Sequence, residues 1–402
     1  MLDSRIHCNL EKLCQSGVLD NGVALWGIGT QTQELINWLK AHNIKISFIV
    51  DNFKYTFYKF YEGIAVWKAS ELAKTDVTEC FLLATNHNNV IREQLVAYGV
   101  FKVYNLYNLE ETPEKDDCHI PYHFEDRSNG KGTLCYILAG YDSQLWENVL
   151  TRIHTFQSDE IDYCLVTSGK CSEELAMLAE QYNWSYLWTE KNQVCYIQNL
   201  VIELHPEAEL FIKMDEDIFV GKHFFDGMLK AYRDLEAYGD YRIGFLVPVI
   251  PLNCSGYVSY LKQIKKKDEF ERRFGKAYKT RFSAVFSLPE AAKFLWESMG
   301  NFDAMEDAFS KNSGYDICNA YFNIGCILYS REKWLMMGKW PCNINETGMG
   351  TDERFIMQDN FDKDMVIYEV QNVLAGHLAF GPQKQEMYQF YKEHQEVFRI
   401  AD

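Results

Sequence analysis

The stretch Phe211-Ile-Lys-Met-Asp-Glu-Asp-Ile-Phe-Val220 sets three carboxylates between two apolar flanks. The flanks read as a buried strand and its continuation, and a buried carboxylate is costly unless something positive meets it. A strand over 210–214 delivers Asp215, Glu216 and Asp217 at its carboxyl end, where open α/β sheets place their ligand sites. Asp215 and Asp217 are two apart and project to one side of an extended chain. Two hard oxygen donors on one side suit Mg²⁺ or Mn²⁺, cations that bridge protein carboxylates and substrate phosphates. A solvated acidic turn after a strand is the plain alternative.

Two other acidic motifs are excluded. An EF-hand loop needs Gly six positions in, where Val220 stands, and a Glu at the twelfth position, which is missing. A haloacid-dehalogenase phosphatase needs a small hydroxyl residue where Phe219 stands, and its acidic strand should open the domain, whereas other strands come first here.

Upstream of the acidic turn, strand and helix patterns alternate. Strands are expected over 133–139, 161–166 and 185–188, and helices over 143–156, 171–182 and 194–204, the last stopped before Pro206. Residues 1 to about 20 read as a short helix. An apolar strand then runs into Gly27-Ile-Gly29 and a helix carrying Leu35 and Leu39. Further strands follow over 46–50, ending at Asp51, and over 79–85, with a helix over 90–98. Buried strands alternating with helices indicate α/β architecture with parallel sheets. The polar stretch 111–131, with Pro113, Pro121 and dense mixed charge, reads as a linker. The expected division is 1–110, a Rossmann-like domain; 111–131, the linker; 132–382, a second α/β domain; and 383–402, a C-terminal helix.

Gly27 and Gly29 fit a tight turn at a helix N-terminus, and Asp51 falls where a ribose-binding acid belongs. Thr32 stands where the third glycine of a dinucleotide fingerprint is required, so the motif is incomplete. A small domain that binds something other than NAD, or nothing, fits equally well. Residues 20–108 resemble the N-terminal domain of bacterial sugar O-acyltransferases. The likeness rests on Leu25-Trp-Gly-Ile-Gly29, Phe48-Ile-Val-Asp-Asn52, Tyr61-Glu-Gly-Ile-Ala-Val66 with Ala69-Ser-Glu-Leu72, and Ala84-Thr-Asn86.

The chain has 402 residues, 40 basic against 57 acidic, for a net charge of −17. Binding to nucleic acid by neutralising phosphates is therefore not expected. Met1-Leu-Asp-Ser-Arg5 lacks the basic start and apolar run of a signal peptide. The 12 Cys show no CxxC pair and read as reduced, mostly core thiols. No stretch approaches the ~18 apolar residues of a membrane span. A cytoplasmic location follows. Residues 262–281 carry nine Lys or Arg against three acids. They read either as a solvated helix or as a peripheral contact with an anionic membrane face or acceptor.

Residues 132–382 resemble a GT-A-fold glycosyltransferase, closest in element order to glycosyltransferase family 2. The likeness rests on the turn Ala139-Gly-Tyr-Asp-Ser143, the strand end Val166-Thr-Ser-Gly169, Glu190-Lys-Asn-Gln193, the DxD Asp215-Glu-Asp217, and Phe322-Asn-Ile-Gly-Cys-Ile-Leu-Tyr-Ser-Arg-Glu-Lys-Trp334 with Gly338 and Gly350-Thr-Asp-Glu-Arg-Phe355. The chain departs from the family where Thr167-Ser168 replaces an acid and where Thr351-Asp352-Glu353 replaces Glu-Asp.

The resemblance implies a metal-dependent, inverting transfer of a sugar from a nucleoside diphosphate sugar, UDP-linked for preference, to a hydroxyl on a glycan or lipid-linked acceptor in bacterial surface polysaccharide synthesis. It implies Ala139, Tyr141, Ser168, Asn192 and Asp215 at the donor, and Mn²⁺ or Mg²⁺ on Asp215 and Asp217. Asp352 is the expected general base, with Glu353 as its fallback and Glu306 and Asp307 better explained as a helical surface face. His377, in Leu374-Ala-Gly-His-Leu378, is either a third metal ligand or a hydrogen-bonded core residue. The rival readings are a sugar-nucleotide-binding protein without turnover and an NAD-dependent oxidoreductase built on residues 22–51, the latter disfavoured for want of a catalytic side-chain set beside it. The N-terminal domain is expected to bind a nucleotide sugar or to serve as an assembly surface for a homo-oligomer.

Overall fold

The computed structural model describes residues 2–75, 77, 79–84, 88–107, 109, 119–239, 242–280, 283–318, 324–342 and 351–400. The chain divides into two compact units, Met1–Asp117 with Glu332–Trp340, and Cys118–Arg331 with Pro341–Asp402. Thr85, Asn86, Phe322, Gly350 and the most charged part of the expected linker lie outside the described residues.

The first unit holds a six-stranded sheet in the spatial order Phe60–Tyr61, Ile64–Trp67, Ile46–Val50, Val23–Trp26, Cys80–Leu83, Val103–Asn105. All neighbours are parallel except the first pair, a short hairpin. Numbered along the chain, the five parallel strands run 3-2-1-4-5, the order of a doubly wound sheet. Period-2 alternation explains why both faces are apolar. Val23, Leu25, Ile49 and Leu82 join the helices Ser4–Gln15 and Thr32–Ala41 in one core, while Ala24, Phe48, Val50 and Phe81 join Leu72 and Leu95 in the other.

The second unit is built on nine strands in the order Tyr315–Ile317, Val366–Leu374, Ile243–Val249, Cys326–Ser330, Leu210–Asp215, Thr133–Leu138, Ile161–Thr167, Ser185–Thr189, Tyr122–Glu125. The acidic strand is central. It lies parallel to Thr133–Leu138 and antiparallel to Cys326–Ser330. The helices Ser143–Thr155, Glu173–Tyr182 and Val194–Glu203 alternate with the parallel strands as the apolar periodicity predicts. The α/β class is therefore as read. A separate two-stranded ribbon pairs Ile218 with His377 and Phe219 with Gly376.

Three segments differ from expectation. Tyr122–Glu125, inside the stretch read as linker, is an edge strand paired with Ser185–Thr189. Its side chains are half-exposed or exposed, so no apolar run announces it. The C-terminal segment is a 3₁₀ turn, Gly381–Gln383, followed by two helices, Lys384–Glu393 and Gln395–Phe398. Glu306 does not lie on a solvated face: it is 2% exposed.

Among the described residues no helix is long and apolar enough to cross a membrane.

Candidate active site

Each of the three carboxylates meets a different partner. Glu216, the middle one, is 8% exposed and turns back toward the loop after Thr133–Leu138. Its oxygens accept from the backbone N–H of Gly140 at 2.8 Å and of Tyr141 at 3.0 Å, and from the Trp146 indole N–H. Burial pushes its carboxyl up, and these three donors pull against that shift. Glu216 is thus the peg that fixes the loop Ala139–Ser143 over the acidic turn. The loop also depends on Gly140, whose φ is +130° and where a Cβ would lie 2.7 Å from Thr167 Cγ2.

Asp217 faces His377. Nε2 of the imidazole lies 3.3 Å from Asp217 Oδ2. The ribbon pairing of Ile218 with His377 is what brings together residues 160 positions apart. On the other side of the ring, Nδ1 lies 3.0 Å from the Leu252 carbonyl oxygen. A carbonyl only accepts, so Nδ1 carries a proton and Nε2 is presented to the carboxylate. Burial alone would raise the Asp217 carboxyl, but His377 and, further off, Lys384 outweigh it and hold it below its ordinary value. Burial alone would lower the imidazole, and Asp217 reverses that.

Asp215 meets Lys213. The ammonium, on a residue 2% exposed, donates to Asp215 Oδ1 at 2.6 Å and to the Ile324 carbonyl at 2.8 Å. Residues 213 and 215 share a strand face, which is why a lysine two residues earlier reaches the carboxylate. The Asp215 side chain retains 39% exposure. Loss of water contact pushes its carboxyl up, Lys213 pulls it back, and Asp217 and Asp352 push it up again. Lys213 also feels Asp352 and Glu353, which puts the helix Thr351–Asp362 within electrostatic reach of the acidic strand.

Asp352, in the first turn of that helix, is 6% exposed. Its Oδ2 accepts from Gln198 Nε2 at 3.3 Å and its Oδ1 from the Glu353 N–H at 2.9 Å. Gln198 is fully buried, and its Oε1 accepts from Tyr136 O–H at 3.1 Å, with Tyr136 and Tyr329 hydroxyls 2.6 Å apart. The Asp352 carboxylate only accepts, so the amide turns an N–H to it and leaves Oε1 to the Tyr136 hydroxyl.

The remaining donor-side residues ring the same strand ends. Ala139 is tied by its N–H to Val166 O at 2.9 Å. Tyr141 is 65% exposed, and its hydroxyl donates to the Ser168 carbonyl at 2.7 Å. The Ser168 hydroxyl accepts from the Gln193 N–H at 2.8 Å. Asn192 packs so closely on Gly169 that a Cβ there would lie 2.4 Å from the Asn192 nitrogen. Sequence reasoning missed Lys213, Gln198, Asp142 and Lys384. Asp142, 5% exposed, accepts from Lys384 at 3.3 Å and from the Tyr388 hydroxyl. Only Lys213 left a signal, a cation inside an apolar run two places before Asp215.

The donor chemistry suits a divalent cation at Asp217 and His377: a carboxylate oxygen and an imidazole nitrogen face each other, and the ring is oriented from behind by a backbone carbonyl. Two protein ligands are in keeping with a cation that takes its other ligands from water and substrate phosphates. Among the described residues no group of three His, Cys, Asp or Glu side chains gathers at metal-holding spacing, and one oxygen of Asp215 is turned to Lys213.

In the first unit, the donors that would meet a phosphate have partners already. Asp51 Oδ2 accepts from the Ile28 N–H at 2.8 Å, and Oδ1 accepts from Phe53 and Lys54 N–H at 3.0 and 2.7 Å. Thr32 closes the glycine turn, accepting from Gly29 N–H at 2.8 Å and donating to Gly27 O at 3.0 Å. The spacing Tyr-x-x-x-Lys does occur here, at Tyr55/Lys59 and Tyr98/Lys102, but each pair spans turn and loop backbone and so shares no helix face.

A family model described as C2185-like, N-terminal, matches residues 19–103. No curated protein matches the chain. Among solved structures, the mannosyltransferase PcManGT from Pyrobaculum calidifontis, in complex with GDP-Man and Mn²⁺, is 13% identical with a TM-score of 0.36 over 63% of this chain and 58% of its own. GalNAc-T7 with UDP, GalNAc and Mn²⁺ is 11% identical with a TM-score of 0.39 over 63% and 45%. TarS 1–349 of S. aureus is 13% identical with a TM-score of 0.25 over 29% and 35%. The chain thus spans about half the length, or less, of the solved structures it is similar to.

Proposed function

We propose that the second unit is a metal-dependent glycosyltransferase that moves a sugar, with inversion, from a nucleoside diphosphate sugar to a hydroxyl acceptor. The observation that carries this reading is the pairing of Asp217 with His377 just past the carboxyl end of the strand Leu210–Asp215, with a second, separately held carboxylate, Asp352, within electrostatic reach of that strand. The order of sequence motifs over residues 132–382 supports it. Asp217 and His377 would hold Mn²⁺ or Mg²⁺. A divalent cation there supplies charge neutralisation for a departing diphosphate.

The protein's own residues do the rest. Glu216 fixes the loop Ala139–Ser143, whose exposed Tyr141 offers a stacking face to the nucleotide. Lys384, half-exposed and electrostatically coupled to Asp217, adds positive charge at the phosphate side. Asp352, held by Gln198, takes the proton from the acceptor hydroxyl at the atom that attacks the anomeric carbon. A single base acting on the face opposite the leaving group gives inversion. A glycan or lipid-linked acceptor of a bacterial surface polysaccharide fits the resemblance. For the first unit, the internally satisfied glycine turn favours an assembly or scaffolding role over phosphate binding.

The test is turnover of a panel of UDP- and GDP-sugars by the full chain with Mn²⁺. Asp352→Asn is expected to lower turnover by about 10²–10⁴-fold with donor binding near normal, and Asp217→Ala to abolish it. Full activity in EDTA overturns the metal-dependent reading. If Glu353→Gln is inactive and Asp352→Asn active, the base is one residue further on.

A further inference from the structure

Lys213 is a cation where a ligand-binding turn has no ordinary use for one. It is 2% exposed and comes from the central strand of the sheet, two residues before Asp215. A lysine so deeply buried needs acceptors, and it has two that differ in kind. One is Asp215 Oδ1 at 2.6 Å, and the other is the Ile324 carbonyl at 2.8 Å, one residue before the glycine whose carbonyl accepts from the Asp215 N–H at 2.7 Å. The ammonium thus staples the acidic strand to the loop entering Cys326–Ser330, and the Asp215 side chain is held at one oxygen. Asp217, by contrast, meets His377, a group that can give up its Nε2 proton and become a ligand itself.

Resting on the metal-dependent reading above, we infer that Lys213 is the built-in counter-ion of Asp215 and keeps that carboxylate out of the metal's ligand set, so that Asp217 and His377 are the ligands that the described residues contribute to it. A divalent cation and an ammonium cannot share one carboxylate at contact distance without like-charge repulsion. Lys213 was in place first, being covalent and buried. The Lys213–Asp215 pair is neutral as a unit, so a cation held by Asp217 and His377 draws its contact charge from Asp217. The two aspartates of the Asp-Glu-Asp turn are therefore chemically unequal although the sequence spaces them symmetrically.

The experiment is Mn²⁺ titration of the full-length protein, followed by the EPR signal of free Mn²⁺, with folding checked by circular dichroism. Replacing the pair together, Lys213→Met with Asp215→Asn, is expected to leave the Mn²⁺ dissociation constant within about threefold of wild type, while Asp217→Asn raises it at least about tenfold. Lys213→Met alone is expected to tighten Mn²⁺ by about threefold or more, because it leaves a free carboxylate beside the cation. A double variant that weakens Mn²⁺ as much as Asp217→Asn overturns the inference and leaves the metal-dependent reading standing. If the double variant does not fold, Lys213→Met decides alone, and an unchanged or weaker constant overturns the inference. Wild type without saturable Mn²⁺ binding overturns both.

Discussion

Glu306 is a titrating residue outside the chemistry proposed above. It is 2% exposed, its carboxylate accepts from the His223 N–H at 2.9 Å, and burial pushes its carboxyl up to about 7. An unfolded glutamate titrates near ~4.3. Between those values the folded chain holds a proton that the unfolded chain has lost, so stability falls as pH rises from about 4.3 to about 7 and is level beyond it. Glu306→Gln keeps an acceptor for His223 and cannot ionise. The melting temperature of the variant relative to wild type is therefore expected to rise between pH 5 and pH 8, and a difference that stays constant over that range would show that Glu306 is not buried as described. At this scale the sequence was least informative. Asp215, Asp217 and His377 stand out because charge interrupts an apolar pattern. Gln198 and Asp142 do not, since what makes them matter is a partner 154 or 242 residues away.

Among elements, the ribbon of Ile218–Phe219 with Gly376–His377 has little tolerance. A Cβ at Gly376 would lie 2.6 Å from Trp296 Cη2 and 3.2 Å from Phe219 Cβ. Gly376→Ala must therefore push the two strands apart, costing about 1–3 kcal/mol by overpacking and carrying His377 away from Asp217. The expected result is a lower melting temperature together with weaker Mn²⁺ binding. A stability loss with unchanged Mn²⁺ affinity would separate His377 from the metal. The strands and helices of the parallel half were legible because each is long, apolar and bounded by turn residues. This two-residue ribbon was not, because pairing so short leaves no periodicity. The basic run 262–281 gives the opposite lesson. Its charge is plain in the sequence, yet Lys279 pairs with Asp316 and Glu369, Lys267 and Lys276 with Glu271, and Arg273 with Glu269. These pairings favour a self-compensating helical region over an anionic docking face.

For the whole molecule, the two units do not divide the chain at one point. Glu332–Trp340 belongs to the first unit although it follows the strand Cys326–Ser330 of the second. Within the first unit, Glu332 pairs with Lys68 at 3.8 Å and Leu335 packs against the core that holds Phe48 and Phe81. A chain truncated to begin near Lys131, at the end of the stretch read as a linker, would leave this excursion without its core. It is expected to melt well below the full chain and to aggregate. A truncated chain as stable as the parent in thermal denaturation would count against this. The sequence places the break near residue 110 from a run of charge and proline, and nothing local distinguishes an apolar helix that serves its own sheet from one that serves another.

That excursion also sets an order of events during synthesis. The first 117 residues leave the ribosome with their sheet strands all present, but the unit they form lacks Glu332–Trp340 until residue 340 has been made. At roughly 5–20 residues per second this is a delay on the order of ten to forty seconds. For that interval the Phe48–Phe81 side of the sheet lacks the contact that Leu335 will make. The N-terminal unit of a nascent chain is then an unfinished object waiting for its last piece, and a chaperone that holds nascent chains would meet it in that state.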